Sequence, residues 1–253
     1  MNADLDVAIV GGGIAGLAAA WELRQHGVAC RLFEASARTG GVIVSRREDG
    51  WVIDGGPDAL LVQKPAAVAL CRELGLGDRL IHTRPPRTAY VLRGGRLYPL
   101  AAGTFLGFPL SVGALARSSL FSTAGRLRMA AEVVMPRRTG AADESIGTFV
   151  GRRFGREAVE YLAEPLLAGI HAGDVDRLSM QALFPRLLEA ERKSGSVIRA
   201  FRALHTAAAP QGAFVSLPGG VGELVETLTT ALGPETVRVS MPVTALARTA
   251  GGF

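Results

Sequence analysis

The first segment of the chain changes from a strand pattern to a helical pattern and back again. An apolar run over residues 7–10 is typical of a buried parallel strand. Strong helix formers follow from Leu17 to Gln25, and apolar residues alternate with others over residues 28–32. These patterns predict a strand, a helix and a second strand, which form one unit of an α/β fold.

Similar patterns predict further elements along the rest of the chain. In chain order these are a hairpin of residues 42–45 and 51–53, a helix over 65–74, a hairpin over 89–100, a helix over 145–167 broken near Gly155, helices over 181–192 and 222–232, and strands over 237–239 and 243–246. No internal repeat or low-complexity tract interrupts them.

A glycine-rich turn joins the first strand to the first helix. Gly11 can make the tight turn, Gly13 lets the backbone approach a pyrophosphate, and Gly16 lets the helix lie close to the sheet. The helix N-terminus directs partial positive charge at such a phosphate. Glu34 ends the second strand, where it can accept hydrogen bonds from both ribose hydroxyls and repel a 2′-phosphate. The predicted adenine dinucleotide site therefore begins with Gly11, Gly12, Gly13, Ile14, Ala15 and Gly16.

The 253 residues are 48% hydrophobic, and this length and composition indicate one full and one partial domain. The first strand begins within a few residues of Met1, which leaves no room for a targeting segment and favours a cytoplasmic protein. Cys30 and Cys71 have no paired spacing, so we expect neither a disulfide nor a metal site.

Positive charge is concentrated in the middle of the chain. The net charge is +5, yet residues 84–138 contain nine arginines and the single acid Glu132. Such a segment attracts anions. It has no nucleic-acid recognition motif and no pattern of stacking aromatics, so no nucleic-acid partner is expected. A substrate that carries carboxylates, or an anionic membrane surface, fits this segment better.

The same region contains an uncharged stretch from Leu97 to Ala116. Its length would suffice for a membrane span, but Pro99, Pro109 and three glycines oppose an uninterrupted helix. We interpret it as a buried loop at the mouth of an apolar pocket. A peripheral contact with the membrane, helped by the neighbouring arginines, is the alternative.

Two segments after Glu34 resemble a known superfamily. EASARTGG (34–41) and DGWVIDGGPDAL (49–60) are similar to the RxGG and GP segments of FAD-dependent amine oxidases, phytoene desaturases and protoporphyrinogen oxidases. The resemblance implies that FAD is the cofactor and that Glu34, Ala35, Arg38, Gly41 and Val42 line its adenosine and phosphate side. It also places Gly56, Pro57 and Asp58 near the ribityl chain and flavin ring, and the backbone of Val243 at the adenine.

The segment from Glu144 to Ile198 resembles porphyrinogen oxidases more closely. The similar residues are Glu164-Pro165, Gly169-Ile170-His171-Ala172-Gly173-Asp174 and Leu178-Ser179-Met180. This resemblance implies flavin-dependent oxidation of a porphyrinogen to a porphyrin in haem biosynthesis, with molecular oxygen as acceptor and hydrogen peroxide as product. Gly169, Ile170 and His171 become candidate substrate contacts, while no residue is assigned as a catalytic base.

One departure from the family bears on the substrate. Relatives that oxidise protoporphyrinogen IX carry an arginine just before the aromatic residue of the hairpin, whereas here Ala89 precedes Tyr90. The hairpin looks more like that of enzymes that oxidise coproporphyrinogen III, a tetracarboxylate. Coproporphyrinogen III is therefore favoured, with protoporphyrinogen IX as the alternative.

The resulting expectation is an α/β protein with a Rossmann-like FAD-binding domain, residues 1–75 and 213–253, interrupted by a mainly helical insertion over residues 76–212. The C-terminal part of the family's fold is expected to be missing. Two other readings stay open: another FAD-dependent oxidoreductase of the amine oxidase or desaturase kind, and an inactive truncated dinucleotide-binding fragment.

Overall fold

The computed structural model describes residues 5–86, 88–100, 104–105, 108–109, 112–140, 142–168, 173–203 and 212–248. The chain forms two compact units. The first unit comprises Met1–Arg84 and Gln211–Phe253, and the second comprises Pro85–Pro210. Residues 76–84, which the sequence assigns to the insertion, lie in the first unit because Ile81 and His82 pair with a strand near the end of the chain.

The first unit combines a parallel sheet with short antiparallel strands. Its elements are β1 (Val7–Val10), α1 (Ile14–Gln25), β2 (Cys30–Phe33), β3 (Ser45–Glu48), β4 (Trp51–Asp54), β5 (Leu60–Leu61), α2 (Pro65–Glu73), a 3₁₀ turn (Gly77–Arg79), β6 (Ile81–His82), β11 (Phe214–Ser216), α10 (Gly222–Thr236) and β12 (Val237–Arg238).

The parallel sheet has the strand order β1–β2–β12. Val7 pairs with Cys30, and Val237 pairs with Leu32, so β2 is the central strand of the three. The helices α1 and α10 pack against each other and against β2. Leu17, Leu32 and Leu228 are fully buried in this core. The strand–helix–strand unit predicted from the sequence is therefore confirmed, and the core lies directly behind the glycine turn that ends β1.

The antiparallel parts of the first unit follow local turn chemistry. The hairpin β3–β4 turns at Asp49 and Gly50, whose φ values of 50° and 81° are both positive. Two-residue hairpins require such values, and Asp-Gly is a favoured pair for them. A second antiparallel sheet has the order β5–β11–β6 and connects early and late segments of the chain.

The second unit is mainly helical. Its elements are β7 (Tyr90–Arg93), β8 (Arg96–Pro99), β9 (Thr104–Phe105), β10 (Phe108–Pro109), α3 (Val112–Arg117), α4 (Thr123–Ala130), a 3₁₀ turn (Ala131–Val134), α5 (Ile146–Phe154), α6 (Arg156–Ala158), a π-helical segment (Val159–Ala168), α7 (Met180–Leu183), α8 (Pro185–Ser194) and α9 (Val197–Ala203). Ile146, Phe149, Leu162 and Met180 are fully buried in its core. The break predicted at Gly155 is confirmed by its φ of 96°.

The β7–β8 hairpin of the second unit has one buried and one exposed face. Val91 is buried in the helical core, and Tyr98 packs against the same core. The opposite face presents Tyr90, Leu92 and Leu97, of which Leu92 and Leu97 form a cross-strand pair and are 68% and 65% exposed. An apolar hairpin face therefore points to solvent.

Two sequence expectations are wrong. Residues 243–246 form no strand, because this exposed segment has no hydrogen-bonded neighbouring strand among the described residues. The stretch from Leu97 to Ala116 is not one buried loop: Leu97 is an exposed residue of β8, and Leu115 is a buried residue of α3. None of the described helices is sufficiently long and apolar to traverse a bilayer.

Charged side chains occupy the centre of the second unit. Arg153 and Glu132 are both fully buried and form an ion pair. Glu132 also accepts hydrogen bonds from Ser196 Oγ at 2.5 Å and from Val197 N at 2.8 Å, so it satisfies the first turn of α9. Arg153 in turn donates to the carbonyl of Gly195 at 2.9 Å. This pair joins α5 to the start of α9.

A second carboxylate extends the same network. Glu191 accepts from Arg152 Nη1 at 2.6 Å and from the backbone N–H of Arg138 at 3.0 Å. Burial raises the pKa of Glu191, but the hydrogen bonds from Arg152 and Arg138 together with the charges of Arg152 and Arg153 outweigh it and leave that pKa below its usual value. Arg152 also donates to Glu144 at 2.8 Å. We call Glu132, Arg152, Arg153 and Glu191 the buried charge network.

Candidate dinucleotide site

Three glycine turns that are distant in the sequence pack on one another in the first unit. Gly13 and Gly40 form an isolated parallel bridge, and Gly40 N donates to Gly12 O at 2.7 Å. Gly55 N donates to Val44 O at 2.7 Å, which holds the third turn against the second. The result is a continuous backbone surface at the end of β1, which we call the glycine surface: residues 11–16, 40–42 and 55–56.

Side chains are excluded from most of this surface. A Cβ atom on Gly16 would overlap the carbonyl oxygen of Gly11, and one on Gly56 would overlap that of Val42. A Cβ on Gly41 would lie 3.3 Å from Gly13 Cα. Gly13 differs, because a Cβ there would have no atom of the protein within 4 Å. The open space beside Gly13 is where a ligand can approach the backbone.

The first turn of α1 is prepared for an anion. Gly13 precedes the helix, and within the described structure no side chain caps this turn and no acidic residue lies in it. Its N–H groups and the helix dipole favour a phosphate at this position. Ile14 and Ala15 supply the first helical residues, and Ala15 is exposed. This arrangement fits the pyrophosphate of a dinucleotide.

Glu34 lies directly against the glycine turn. Its Oε2 accepts a hydrogen bond from Gly12 N at 2.6 Å, while its Oε1 accepts from Ser36 N at 2.8 Å and from Ser36 Oγ at 2.6 Å. The bonds from Ser36, followed by the one from Gly12, lower the pKa of Glu34 to about 2. The carboxylate is therefore ionised at neutral pH and suited to accept hydrogen bonds from a ribose diol.

Backbone contacts hold Glu34 from both sides. Glu34 N donates to Arg238 O at 2.8 Å, and Met241 N donates to Glu34 O at 2.8 Å. Ser240 N donates to Ser36 O at 2.8 Å. The segment after β12 thus runs beside residues 34–36. Val243 lies two residues further along and is 39% exposed, which is compatible with its expected contact to an adenine ring.

Arg38 organises the second glycine turn. Its guanidinium donates to the carbonyls of Thr39, Gly41 and Ile43 at 3.1, 2.8 and 3.4 Å. In the part of the chain that the structure describes, no carboxylate pairs with it, and the residue is exposed. A guanidinium bound only to carbonyls keeps its charge available for a phosphate.

The remaining predicted residues divide into two groups. Ala35, Val42, Gly56, Pro57 and Asp58 are all exposed around the glycine surface, and Ser216 Oγ donates to Asp58 O at 2.8 Å. Gly169, Ile170 and His171 lie outside the described residues.

Sequence reasoning missed Ser36 and Ser45. Ser45 Oγ accepts from Gly222 N at 2.7 Å and bonds to Asp54, while Asp54 accepts from Val221 N at 3.2 Å. These contacts fix the start of α10 to the β3–β4 hairpin. Ser36 lies two residues after Glu34, the carboxylate predicted to bind the ribose. A serine hydroxyl that close in sequence commonly forms local hydrogen bonds, so the sequence could have indicated its role.

A groove of about 520 Å³ opens beside this region. It is lined in part by Arg38, Thr39, Ser45 and Thr229, but residues 11–16 do not contribute to it. The candidate site is therefore the glycine surface with Glu34 and Arg38 rather than this groove. Its open backbone, its uncapped helix and its ionised carboxylate are the donors and acceptors that FAD requires for its pyrophosphate and ribose.

A family model described as flavin containing amine oxidoreductase matches residues 14–253. The chain belongs to this family. Its cofactor is a flavin, as the resemblance of the glycine segments implied, and the α/β fold with a helical insertion is the family's fold.

Three similar proteins indicate which members of this family the chain resembles. A coproporphyrinogen III oxidase of Bacillus subtilis (strain 168) is 37% identical over 235 residues, which are 88% of this chain and 50% of the relative. A mitochondrial protoporphyrinogen oxidase of Nicotiana tabacum is 33% identical over 197 residues, 76% of this chain and 38% of the relative. A crystal structure from Exiguobacterium sp. 255-15 that carries the name protoporphyrinogen oxidase has a TM-score of 0.82 and 33% identity, covering 96% of this chain and 54% of that one.

The chain spans about half the length of the curated relatives it matches. Because 88% of the chain is matched by the Bacillus protein, the similarity to that protein includes most of both units.

Proposed function

We propose that this chain is the FAD-binding part of a porphyrinogen oxidase that converts coproporphyrinogen III to coproporphyrin III, with oxygen as acceptor and hydrogen peroxide as product. The observation that carries the proposal is the 37% identity to a coproporphyrinogen III oxidase over 88% of the chain. FAD would supply the acceptor for hydride from the macrocycle. This chain's own residues bind and orient that cofactor.

Each part of the candidate site has a stated role in this proposal. The first turn of α1 and Arg38 hold the pyrophosphate, and Glu34 holds the adenosine ribose. Gly56, Pro57 and Asp58 lie toward the flavin end, and Val243 meets the adenine. Gly169, Ile170 and His171 are proposed substrate contacts on the basis of the family resemblance.

The substrate preference rests on the hairpin of the second unit. Ala89 is exposed at the start of this hairpin, and its carbonyl accepts from Leu100 N at 2.8 Å, so position 89 itself contributes no cationic side chain. Arg96 is exposed at the other end of the hairpin, available to a carboxylate. Protoporphyrinogen IX is the alternative substrate, supported by the Nicotiana relative.

Cofactor binding can be tested with a pair of glycine variants. Gly13→Ala introduces a methyl group that meets no protein atom but occupies the approach to the backbone, whereas Gly113→Ala in α3 also meets no protein atom and lies in the other unit. We expect quenching of FAD fluorescence on titration with the original chain and with Gly113→Ala, and about a hundredfold weaker binding with Gly13→Ala, the effect of a lost hydrogen bond to a charged phosphate. Equal affinity in all three would contradict the site.

The reaction can be tested in a chimera that has the length of the relatives. We would join this chain to the part of the Bacillus subtilis relative that follows the matched region, and measure porphyrin fluorescence and peroxide in air and under argon. Oxygen-dependent turnover that is faster with coproporphyrinogen III supports the proposal. Ala89→Arg should move the preference toward protoporphyrinogen IX. Turnover of amines but not of either porphyrinogen would favour an amine oxidase-like enzyme instead.

We further propose a peripheral membrane contact through the exposed face of the β7–β8 hairpin. Tyr90, Leu92 and Leu97 form this apolar face, and it lies within the arginine-rich segment that attracts anionic headgroups. Sedimentation with vesicles of phosphatidylglycerol should exceed that with phosphatidylcholine. Leu92→Asp should abolish it, while Ile53→Asp, at an exposed position of the first unit, should not. Equal binding to both lipids would oppose the proposal.

A further inference from the structure

The hydroxyl of Ser36 lies between two acceptors in the candidate dinucleotide site. Ser36 Oγ is 2.6 Å from Glu34 Oε1 and 2.7 Å from the carbonyl oxygen of Arg38. A hydroxyl carries one proton, so Oγ can donate to only one of these oxygens at a time. Both distances suit a hydrogen bond. Rotation about the C–O bond is therefore enough to move the donation from Glu34 to Arg38.

The carboxylate of Glu34 is already well occupied by protein donors. Gly12 N donates to Oε2, while Ser36 N and Ser36 Oγ donate to Oε1. An ionised carboxylate offers about four acceptor positions. The two hydroxyls of a ribose would require two of them, so one of the three protein donors has to withdraw. The two backbone N–H groups are fixed by the glycine turn and by the segment 34–36, which leaves the Ser36 hydroxyl.

We propose that Ser36 is a positioning residue that orients the Glu34 carboxylate and yields its hydrogen-bonding place to a ribose hydroxyl. When the adenosine ribose binds, the Ser36 hydroxyl donates to the Arg38 carbonyl instead, so neither polar group loses a partner. The same movement transfers the hydrogen bond of the Ser36 hydroxyl from Glu34 to the turn that carries Arg38. This inference rests on the proposed binding of FAD and deepens it, since it concerns recognition of the ribose diol by this chain.

A purely structural role for Ser36 makes a different prediction. A serine that only stabilises the turn after β2 would affect every ligand of the site equally. A serine that orients Glu34 affects only ligands whose ribose hydroxyls reach the carboxylate. The pair ADP and 2′,3′-dideoxy-ADP separates these cases, because the two nucleotides differ only in those hydroxyls.

The test is calorimetric titration of the chain and two variants with both nucleotides. We expect Ser36→Ala to strengthen ADP binding about tenfold, because the free site loses a hydrogen bond to a charged group that competes with the ribose while the complex loses only one to a neutral carbonyl, and to change dideoxy-ADP binding less than twofold. Ser36→Thr keeps the hydroxyl and should bind both nucleotides as the original chain does. Trp21 fluorescence, from a residue within the first unit, checks that each variant is folded.

A second measurement follows the carboxylate itself. Carbon-13 NMR of labelled glutamate in the ligand-free chain should show a higher pKa for Glu34 in Ser36→Ala than the value of about 2 that the bonds from Ser36 help to set. Equal changes in the binding of both nucleotides, or ADP binding that is unchanged or weaker in Ser36→Ala, would overturn the inference alone. Binding of neither nucleotide by the original chain would overturn the proposed cofactor site and this inference with it.

Discussion

The two units of the molecule use their polar groups in opposite ways. In the first unit, backbone contacts between glycine turns form the site, and Arg38 remains exposed without a carboxylate partner among the described residues. In the second unit, Arg153 and Glu132 are completely buried and satisfy each other. The first unit therefore leaves hydrogen-bonding groups available for a ligand, whereas the second consumes them in its own structure.

This difference predicts different responses to substitution. A buried ion pair contributes little net stability relative to apolar residues, but removal of one partner leaves a charge without compensation. A surface made of backbone contacts has no such partner to lose, and it fails when a side chain is added.

The largest expected effect is in the buried charge network. Arg153→Met removes the buried guanidinium that pairs with the carboxylates of Glu132 and Glu191. We therefore expect the free energy of unfolding of the second unit to fall by about 3–5 kcal/mol. Hydrogen exchange of residues 146–154 and 197–203 would measure this loss. Both tryptophans of the chain, Trp21 and Trp51, lie in the first unit, so their fluorescence reports separately on that unit.

A matched control tests whether burial causes the effect. The ion pair between Lys193 and Glu189 also lies in the second unit, but both side chains are more than half exposed. Lys193→Met should leave hydrogen exchange unchanged, because exposed pairs are screened by water. A similar loss in both variants would show that burial does not distinguish the network.

An intermediate effect is expected from added bulk in the glycine surface. Gly16→Ala forces a methyl group against the carbonyl of Gly11, and we expect about 1–3 kcal/mol of destabilisation of the first unit, as for other overpacked positions. Urea unfolding followed by tryptophan fluorescence would measure it. Gly13→Ala, which meets no protein atom, should unfold at the same urea concentration as the original chain. A shift of that midpoint would show that Gly13 is also required by the fold.

The smallest effect concerns acid. The folded pKa of Glu191 is lowered, so its contribution to stability is complete above its usual pKa and is lost as pH falls through the folded value. The protection factors of α8, which are exchange rates corrected for the intrinsic pH dependence of amide exchange, should therefore be the same at pH 7 and pH 6 and should fall below about pH 4.5. Glu191→Gln should reduce this dependence. If the pH dependence in Glu191→Gln were unchanged, the effect would have to come from other carboxylates.

The sequence predicted those features that depend on local chemistry. The structure confirms the hairpins at Asp49-Gly50 and Gly94-Gly95. They could be predicted because both turn residues need positive φ values, which such residue pairs adopt readily. The strand expected over residues 243–246 is wrong because its apolar alternation carries no information about whether a neighbouring strand is available. The local sequence pattern was therefore sufficient to predict the turns, but it was insufficient to predict which strands pair.

The buried charge network had no local signature. Glu132 and Arg153 are separated by 21 positions, and the arginines of this region gave the appearance of a basic surface. The structure instead uses Arg128 to satisfy the carbonyls of Arg152 and Arg153, and it stacks Arg93 over the Tyr161 ring at 4.0 Å. Part of the predicted positive surface is thus internal support. Only the tertiary structure distinguishes these arginines, which support the interior, from Arg96, which is exposed.

Two close approaches within the glycine surface, of Gly16 to Gly11 and of Gly56 to Val42, restrict how such a site can be altered. Because a Cβ atom on Gly16 or Gly56 would overlap a backbone oxygen, no exchange of neighbouring side chains can make room for it. The glycine surface can be lost by mutation, but it cannot be gradually retuned. Any engineered change of cofactor must therefore enter through the side chains at its edge, between Glu34 and Arg38, where hydroxyl, carboxylate and guanidinium groups can still be replaced one at a time.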